Sequence, residues 1–284
     1  MDNVKLPGFR HLSSGKVREI CVPEEPGALG NVVLIVATDR ISAFDYILTP
    51  TILNKGKILT EISHYWFSKL PIPNHFITTQ GVPEQVAGRA MFCKRLEMIP
   101  VECIARGYLT GSAYQEYART GKFQEFKLPK SLKDGDKLPE VLFTPAIKTE
   151  FGKHDENVSF SKVTQLVGSQ LAEKLQKLTL VIYETAREIA ASAGIVLVDT
   201  KFEFGIDPET KEVVLGDEVL TPDSSRYRDK NGTSYDKQFV RNYLLNESGW
   251  DPASGTQPPQ IPAEVVKKTG ELYSKVRDLL LNVQ

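Results

Sequence analysis

The strongest constraint on the fold of this chain is a strand whose two faces differ in character. Alternate side chains of a β-strand point to opposite sides of the sheet. In residues 197–205, LVDTKFEFG, one face is apolar and suited to a core, whereas the other carries Asp199, Lys201 and Glu203. A charged face is ordinary on the solvent side of an antiparallel sheet, so further residues must decide whether this face lines a site.

The residues that follow this strand predict a β-hairpin. Residues 205–212, GIDPETKE, are typical of a connection, and residues 213–219, VVLGDEV, form the returning strand. A turn centred near residue 210 would bring Glu203 and Asp217 opposite each other. Facing carboxylates repel unless a cation lies between them. Lys201 could supply part of that charge, and Mg²⁺ could supply it better because Mg²⁺ prefers one or two carboxylates together with phosphate oxygens.

Composition limits the classes of partner. The chain has 284 residues, of which 41% are hydrophobic and 25% are charged, which is typical of a globular protein of one large domain or two lobes. Its formal net charge is −1 and both signs are mixed along the chain, which argues against nucleic-acid and membrane-surface binding. This balance is compatible with a local basic pocket for a phosphorylated small molecule, and it predicts no particular oligomeric state.

The cysteines favour a cytoplasmic location. Cys21, Cys93 and Cys103 lie among apolar residues and form no C-x-x-C pair. This pattern predicts buried free thiols in a reducing compartment, with a catalytic cysteine as the alternative. We expect no signal peptide, because residues 1–10 contain no apolar segment, and the longest apolar run, 32–37, is too short to span a bilayer.

The periodic segments predict an α+β fold with two lobes. Residues 1–99 are predicted to form a β-rich lobe with a helix over 56–70, and residues 100–284 a mixed lobe, with a small molecule in the cleft between the two. In the second lobe we expect a helix after Gly111-Ser112, a long helix from about Ser161 to Ala193, and helices over 234–248 and 263–283.

Two segments of the second lobe lack periodicity. Residues 121–158 are rich in Lys, Pro and Gly, which predicts either an active-site flap or an ordered surface loop. Little apolar surface would be buried there, so we expect this segment to open easily. Residues 220–232, LTPDSSRYRDKNG, are predicted to form a loop.

Two motifs in the first lobe have both a structural and a functional interpretation. In residues 13–20, SSGKVREI, Gly15 would let the backbone approach a phosphate and Lys16 would supply charge, but a turn that starts a strand is equally consistent. Residues 37–48, ATDRISAFDYIL, form a polar turn, either a capped turn with a local ion pair or a substrate loop that points into the cleft.

Two arginine–hydroxyl clusters favour a phosphate site. Arg106 ends a predicted strand shortly before Ser112 opens a helix, and a helix N-terminus attracts anions. Ser224 and Arg226 follow directly after the acidic hairpin. One such cluster is common, but two beside paired carboxylates suggest a phosphorylated substrate next to a metal-bound nucleotide.

Stretches along nearly the whole chain resemble the SAICAR synthetase (phosphoribosylaminoimidazole-succinocarboxamide synthase) family. They follow one another in the same order as in that family. The matching stretches are GKVRE, ATDRISAFD, NKGKILTEIS, VECIARGYLTGSAYQEY, FTPAIKTEFGKHDENVS, LVDTKFEFG and VLGDEVLTPDSSRYRD. The extended 121–158 region resembles the family's longer branch rather than its compact bacterial form.

The resemblance implies a two-lobed α+β architecture with ATP between the lobes. It implies ATP-dependent ligation of L-aspartate to 5-amino-4-imidazolecarboxylate ribonucleotide (CAIR), which gives SAICAR, ADP and phosphate. A carboxylate needs activation before an amine can attack it, so phosphorylation by ATP to an acyl phosphate is expected. Phosphoryl transfer depends on positioning and on charge neutralisation by Mg²⁺, Lys and Arg.

The resemblance also implies roles for individual residues. Glu203 and Asp217 resemble Mg²⁺ ligands, Lys201 and Asp199 lie beside the reacting groups, and Asp45 contacts the aminoimidazole. The implied substrate-binding residues are Arg106, Ser112 and Arg226 for the 5′-phosphate, Ser224 beside them, and Lys148, His154 and Asp155 for closing over CAIR and aspartate. The implied ATP-binding residues are Gly15, Lys16, Val17 and Arg18 for the phosphates, and Lys94 and Glu102 for the nucleoside.

Two other functions are compatible with these residue types. A small-molecule kinase that stops at phosphoryl transfer would use the same hairpin. A regulatory module that binds nucleotide without catalysis is the second alternative, although the intact acidic pair and both arginine clusters speak against it.

Overall fold

The computed structural model describes residues 5–25, 27, 29–147 and 156–283. Within these residues the strands are, in chain order, Phe9–Ser14 (β1), Arg18–Pro23 (β2), Val32–Ala37 (β3), Ile41–Ala43 (β4), Tyr46–Leu48 (β5), Phe76–Thr78 (β6), Ala90–Lys94 (β7), Glu97–Leu109 (β8), Asp136–Phe143 (β9), Ala146–Ile147 (β10), Glu156–Asn157 (β11), Val196–Ile206 (β12), Val213–Gly216 (β13) and Ser225–Arg228 (β14). The helices are Lys55–Lys69 (α1), Ser112–Thr120 (α2), Phe160–Val167 (α3), Ser169–Ser192 (α4), Gln238–Asn246 (α5) and Ala263–Leu281 (α6). Short 3₁₀ turns occur at Glu84–Val86 and Pro252–Ser254.

The strands form two larger antiparallel sheets and a small hairpin. The first sheet has the order β1-β2-β3-β7-β6, and the second has the order β11-β10-β8-β12-β13, with β9 also on β8 and β14 also on β12. This arrangement confirms the α+β, two-lobed architecture. The chain passes from the first sheet to the second through β8, which begins at Glu97. The division between residues 99 and 100 remains a prediction.

A continuous core joins the two lobes. Helix α1 packs on β3 and buries Ile58, Ile62 and Trp66, whose spacing is the helical periodicity of the sequence. Helix α4 packs on β12 and β8, and the Tyr183 hydroxyl donates to the Leu197 carbonyl at 2.8 Å. Buried side chains of both lobes belong to the same cluster, so the two sheets hold each other at a fixed position.

The prediction that residues 121–158 form an active-site flap or an ordered surface loop is wrong for residues 136–143. Residues 136–143 form β9, which pairs with β8 in a register that places Phe143 opposite Ala105. Phe123, Leu138 and Leu142 are buried in a cluster of their own. These apolar side chains are separated by Lys, Pro and Gly, which hid the strand pattern. Lys148, His154 and Asp155 lie outside the described residues.

Two further predictions require correction. The helix expected from Ser161 to Ala193 is divided into α3 and α4 at Gly168, whose φ of 85° is incompatible with a continuous helix. The loop expected over 220–232 contains β14, which pairs with β12. The helices predicted over 56–70, after Gly111 and near the C-terminus are confirmed.

A close approach between α1 and β3 depends on Gly56. A Cβ atom at this position would lie 2.6 Å from the Ala37 carbonyl oxygen. Because this oxygen belongs to the backbone, no side-chain rotation can relieve the contact. We therefore expect Gly56→Ala to lower the free energy of unfolding by about 1–3 kcal/mol in urea denaturation. Gly270→Ala is the matched control, because its Cβ would meet Ile52 at an ordinary 3.5 Å. In a helix interior this control should be stabilising by about 0.5–1 kcal/mol, and equal effects of the two changes would refute the packing argument.

The expected buried thiols are confirmed. Cys21, Cys93 and Cys103 are free and at most 1% exposed. Burial raises the pKa of each thiol, in the case of Cys103 to about 12. We therefore expect a thiol reagent at pH 8 to modify none of the three in the native protein and all three in denaturant. Rapid modification of one thiol before unfolding would contradict this burial.

Among the described residues, no helix combines the length and apolar character needed to cross a bilayer.

Candidate active site

A cavity of about 540 Å³ lies between the two lobes. It is lined by residues 15–18, by the β4–β5 hairpin, by β8 and β12, and by residues that follow β13. The predicted site residues that line it are Gly15, Lys16, Val17, Arg18, Asp45, Glu102, Arg106, Asp199, Lys201, Glu203, Asp217, Ser224 and Arg226. The charged face of β12 therefore faces this cavity.

The hairpin that carries the predicted metal ligands is confirmed, but its register differs by one residue. Glu203 pairs with Gly216, not with Asp217, because the connection closes between Asp207 and Glu212. Asp217 follows β13 with a φ of 58°, a left-handed conformation that redirects the chain. With this turn, Glu203 and Asp217 both line the cavity, although they are not opposite each other in the ladder.

Arg18 links the acidic side chains at the end of this hairpin. Its two terminal nitrogens donate to Asp217 and Glu218, each at 2.5 Å. Burial acts to lower the pKa of Arg18, but Asp217, Glu218 and Glu203 together raise it above its usual value. We call Glu203, Asp217 and Glu218 the acidic cluster. Glu218 was missed in the sequence, although it follows directly after Asp217.

The backbone at Asp217 is held by a buried histidine. Nε2 of His75 lies 3.1 Å from the Asp217 carbonyl oxygen, so the ring N–H is the donor. Burial lowers the pKa of His75 to about 4, which keeps the imidazole neutral at neutral pH. His75 thus fixes the direction of Asp217 without adding charge to the acidic cluster.

The acidic cluster fits a hydrated or phosphate-bound cation rather than a metal held by protein alone. In the described part of the chain, no group of three or more His, Cys, Asp or Glu side chains is arranged to hold a metal ion. Arg18 shows that a positive charge is accommodated between Asp217 and Glu218. Mg²⁺ commonly takes one or two carboxylates and completes its shell with phosphate and water oxygens, so the donors present fit Mg²⁺ that arrives with a nucleotide.

Lys201 lies between carboxylates of two strands. It pairs with Glu102, and its ammonium is 3.7 Å from Glu203. Burial acts to lower the pKa of Lys201, but Glu203 and Glu102 raise it above its usual value. Because Glu102 and Glu203 are directly opposite in the ladder, Lys201 supplies the positive charge that this pair requires.

Arg106, Asp199 and Arg226 form a second cluster, which we call the arginine clamp. They lie side by side on β8, β12 and β14, in register. Oδ2 of Asp199 accepts from Arg106 at 3.0 Å and from Arg226 at 2.6 Å. Two guanidinium groups share one carboxylate, so the clamp keeps a net positive charge and suits an anion such as phosphate.

Neighbouring residues fix the arginine clamp. Nε of Arg106 donates to Thr144 at 3.0 Å, and its guanidinium lies 5.7 Å from the centre of the Phe123 ring. At Gly111, a Cβ atom would lie 2.8 Å from Arg226, so this position leaves room for the guanidinium. Ser112, the first residue of α2, is exposed and does not line the cavity.

The predicted polar turn over 37–48 is a tight hairpin. Its two central residues, Phe44 and Asp45, have φ of 50° and 66°, as in a type I′ turn. Phe44 packs on Trp250 with ring centres 5.7 Å apart, and Asp45 forms an ion pair with Lys16. The hairpin therefore carries Asp45 to the opening of the cavity, next to residues 15–18.

Three further charged residues at one end of the cavity were missed: Asp223, Lys237 and Arg241. Asp223 accepts from the Tyr273 hydroxyl at 2.7 Å and is paired at 2.6 Å with Lys55, which is fully buried. Burial lowers the pKa of Lys237 to about 8. The i, i+4 spacing of Lys237 and Arg241 at the start of a predicted helix was a usable signal, because it places both on one face.

One predicted nucleotide contact lies elsewhere. Lys94 is half exposed, pairs with Asp207 at 3.0 Å at the far end of the hairpin, and does not line the cavity. Its predicted role beside the nucleoside has no support from this position.

The cavity lining is balanced in charge. Seven of the lining side chains are Lys or Arg and seven are Asp or Glu. Most of these cations are engaged by lining carboxylates, as in the arginine clamp and the pairs of Lys16, Arg18 and Lys201. Binding of a substrate with several negative charges would give this site an excess of negative charge unless a cation accompanied the substrate. This balance again favours a metal-bound nucleotide.

Comparisons with known proteins identify the family. The SAICAR synthetase family model matches residues 11–256. The phosphoribosylaminoimidazole-succinocarboxamide synthase of Corynebacterium efficiens is 48% identical over 287 aligned residues, covering 97% of this chain and 92% of the relative. The enzyme of that name from Streptomyces coelicolor is 48% identical over 290 residues, covering 98% and 95%.

Solved structures agree with this result. SAICAR synthase from Saccharomyces cerevisiae, in complex with SAICAR, superposes with a TM-score of 0.83 at 35% identity and covers 99% of this chain and 97% of its own. A type-2 SAICAR synthetase in complex with ADP shares the fold, with a TM-score of 0.71 at 24% identity over 94% and 96% of the two chains. The family match across most of the sequence and the curated relatives at nearly half identity lead to one conclusion: this chain belongs to the SAICAR synthetase family.

Proposed function

We propose that this chain catalyses the ATP-dependent ligation of L-aspartate to CAIR, giving SAICAR, ADP and phosphate, as a step of purine biosynthesis. The observation that carries this proposal is the arrangement of one cavity. It holds a net positive arginine clamp at one position and the acidic cluster at another, with Lys201 between them. The reaction requires the same three elements: an anchor for a phosphorylated substrate, a site for a metal-bound nucleotide, and a cation where the phosphoryl group is transferred.

Strand β12 sets the order of these elements. Asp199, Lys201 and Glu203 are alternate residues on one face of β12. Each of them therefore lies about 6–7 Å from the next one along the strand. Asp199 belongs to the arginine clamp, Lys201 is central, and Glu203 belongs to the acidic cluster. A rigid strand in the middle of a sheet can hold two substrates at a defined separation, which is the main requirement for transfer between them.

The proposed roles follow from this order. Arg106 and Arg226 hold the 5′-phosphate of CAIR, with Ser224 nearby, and Asp45 contacts the aminoimidazole. Residues 15–18 cover the ATP phosphates, so the lobe of residues 1–99 serves the nucleotide and residues 100–284 carry most of the catalytic groups. Lys148, His154 and Asp155 remain sequence predictions. The reducing cytoplasm that the sequence predicts is consistent with the three free, buried thiols.

Glu203 and Asp217 are the residues that would hold Mg²⁺, which would supply charge neutralisation on the transferring phosphate. Lys201 stabilises negative charge on the γ-phosphoryl group and on the CAIR carboxylate that approaches it. Lys201 does this as a cation, since its neighbours raise its pKa.

The proposed reaction has two steps. An oxygen of the CAIR carboxylate attacks the γ-phosphorus of ATP, the bond to the β-phosphate breaks, and ADP and an acyl phosphate form. The aspartate amine then attacks the acyl carbon and loses a proton, and the carbon–oxygen bond to phosphate breaks. One carboxylate oxygen of CAIR leaves with phosphate, and the other becomes the amide oxygen.

Oxygen transfer tests this mechanism. With CAIR labelled by ¹⁸O in its carboxylate, we expect one labelled oxygen in each released phosphate and one in SAICAR, measured by mass spectrometry. The result should hold at early turnover, before any exchange with water. Unlabelled phosphate, together with normal SAICAR formation, would refute the acyl phosphate and require a different activation of the carboxylate.

A further inference from the structure

A partly buried arginine outside the cavity, Arg40, holds the loop of residues 15–18. The four loop residues line the cavity, whereas Arg40, which follows β3 by three residues, does not. Nε of Arg40 donates to the Lys16 carbonyl at 3.0 Å, and Nη2 donates to the carbonyls of Gly15 at 3.1 Å and Arg18 at 3.4 Å. One guanidinium group therefore binds three of the four carbonyls of this loop.

The fourth carbonyl is held from the same segment. The Val17 carbonyl accepts from the Thr38 hydroxyl at 2.7 Å and from the Thr38 amide at 3.0 Å. The Arg40 amide in turn donates to the Thr38 hydroxyl at 3.3 Å. Every carbonyl of residues 15–18 thus accepts a hydrogen bond from Thr38 or Arg40, and the Arg18 carbonyl also accepts from the Gly15 amide at 2.8 Å.

The direction of the carbonyls determines what the loop presents to the cavity. In a planar trans peptide the N–H points away from the C=O. Fixing the carbonyls of Gly15 and Lys16 on Arg40 directs the amides of Lys16 and Val17 to the other side of the loop. Successive amides that point to the same side form a concave anion site, and carbonyls on that side would instead repel phosphate.

The charge of Arg40 is neutralised locally. Its Nη1 is 2.6 Å from Oε1 of Glu19, a side chain with 0% exposure. Glu19 also accepts from Ser14 at 2.5 Å and is 3.0 Å from Nε2 of His11. Burial acts to raise the pKa of Glu19, but the hydrogen bonds from Ser14, Arg40 and His11 hold it below its usual value, so Glu19 is ionised. Arg40 therefore acts through geometry rather than as an additional cation for the ligand.

We propose that Arg40, with Glu19 as its counterion, is a positioning residue that holds the peptide groups of residues 15–18 in the orientation that binds the nucleotide phosphates. This inference rests on the proposed function only in that it places ATP at this loop. Arg40 does not contact substrate in this account. Its effect reaches the phosphates through the backbone of the loop.

The test uses Arg40→Gln and Arg40→Lys in the full-length protein. A lysine ammonium has three N–H donors. It therefore cannot keep the ion pair with Glu19 and also donate to three carbonyls. Arg89→Gln is the matched control, because Arg89 also donates to a backbone carbonyl of the first sheet, that of Ala37 at 3.3 Å, but does not line the cavity.

We expect both Arg40 variants to raise the KM for ATP by about tenfold or more, the equivalent of one or two hydrogen bonds. The KM values for CAIR and aspartate should change less than about twofold, since the arginine clamp is untouched. Amide hydrogen exchange should quicken at residues 15–18 and remain unchanged in α4. The control should leave the KM for ATP unchanged.

Guanidinium ion provides a readout that a general loss of stability would not produce. Added to an Arg40→Ala variant at millimolar concentration, it should lower the KM for ATP, with no such effect on wild type or on Arg89→Gln. An unchanged KM for ATP in Arg40→Lys would overturn the proposal, as would a parallel rise of all three KM values or absence of rescue.

Failure of this proposal is distinguishable from failure of the proposed function. If the wild type binds ATP but forms no SAICAR, the ligation is wrong, and the affinity for ATP, measured by calorimetry, still tests Arg40. If the wild type forms SAICAR and the Arg40 variants bind ATP normally, the proposed function stands and the positioning role is wrong.

Discussion

Replacing Glu203 by Gln, or Asp217 by Asn, is expected to lower kcat by about a hundredfold to a thousandfold or more while the fold remains intact. Both side chains line the cavity at the end of the β12–β13 hairpin, where a positive charge is already held by the acidic cluster. Loss of one carboxylate removes a donor for Mg²⁺ and leaves the phosphates less well neutralised. Calorimetry should show weaker binding of ATP in the presence of Mg²⁺, with little change in its absence.

Stability should separate the two variants. Asp217 is paired with Arg18 at 2.5 Å, so Asp217→Asn should lower the free energy of unfolding of the ligand-free protein. Glu203 is opposite Glu102 in the ladder and 3.7 Å from the Lys201 ammonium, so Glu203→Gln removes one repulsion and one attraction and should change the free energy of unfolding little. Asp207→Asn is the control, since this carboxylate lies in the same hairpin, pairs with Lys94 and does not line the cavity.

Near-normal ADP production by both site variants would rule out the metal assignment.

Arg106→Lys and Arg226→Lys are expected to raise the KM for CAIR by about ten- to a hundredfold, with the KM for ATP nearly unchanged. Lysine keeps the charge but loses the planar set of donors that lets each arginine bind Asp199 and a phosphate oxygen together. The change should be confined to CAIR, because the clamp lies at the Asp199 end of β12 and the acidic cluster at the Glu203 end.

The matched control is Arg228→Lys. Arg228 lies on the same strand as Arg226, donates to the Gly135 carbonyl at 2.8 Å and lies 4.8 Å from the centre of the Tyr108 ring, but it does not line the cavity. We expect the KM for CAIR to stay within about twofold of wild type in this variant. If the Arg106 and Arg226 variants instead lost ATP binding and kept CAIR binding, the two arginines would belong to the nucleotide site.

Features that depend on local pattern were predictable from the sequence. The alternation in residues 197–205 and the Asp-Pro turn gave the β12–β13 hairpin and its charged face. The periodicity of residues 56–70 gave α1. The register of the hairpin was wrong by one residue, because it depends on how the turn closes between Asp207 and Glu212, which the side-chain pattern does not determine.

Features that depend on tertiary contacts were not predictable. Strand β9 contains Pro139 and several charged residues. This segment forms a strand because it pairs with β8. The tight turn at Phe44 and Asp45 lacks the Asn-Gly or Gly residues typical of its type and is held by Trp250 from a distant segment. Lys55 stands beside Asp223 only because α1 packs against the second lobe.

The position of Arg40 illustrates the same limit for function. In the sequence it belongs to a polar turn with no assigned role, and Glu19 looks like an ordinary charged residue of a strand. Only the fold shows that Arg40 meets the buried Glu19 carboxylate next to the loop of residues 15–18.

The central claim is that one cavity joins aspartate to CAIR at the expense of ATP, and substrate dependence tests it most directly. ADP release and SAICAR formation should be followed together while CAIR, aspartate, ATP and Mg²⁺ are omitted one at a time. We expect SAICAR and ADP in equal amounts with all four present, and neither product at a comparable rate when any one is missing. ADP release at full rate without aspartate would instead indicate a kinase, and the absence of SAICAR with all components present would contradict the ligation.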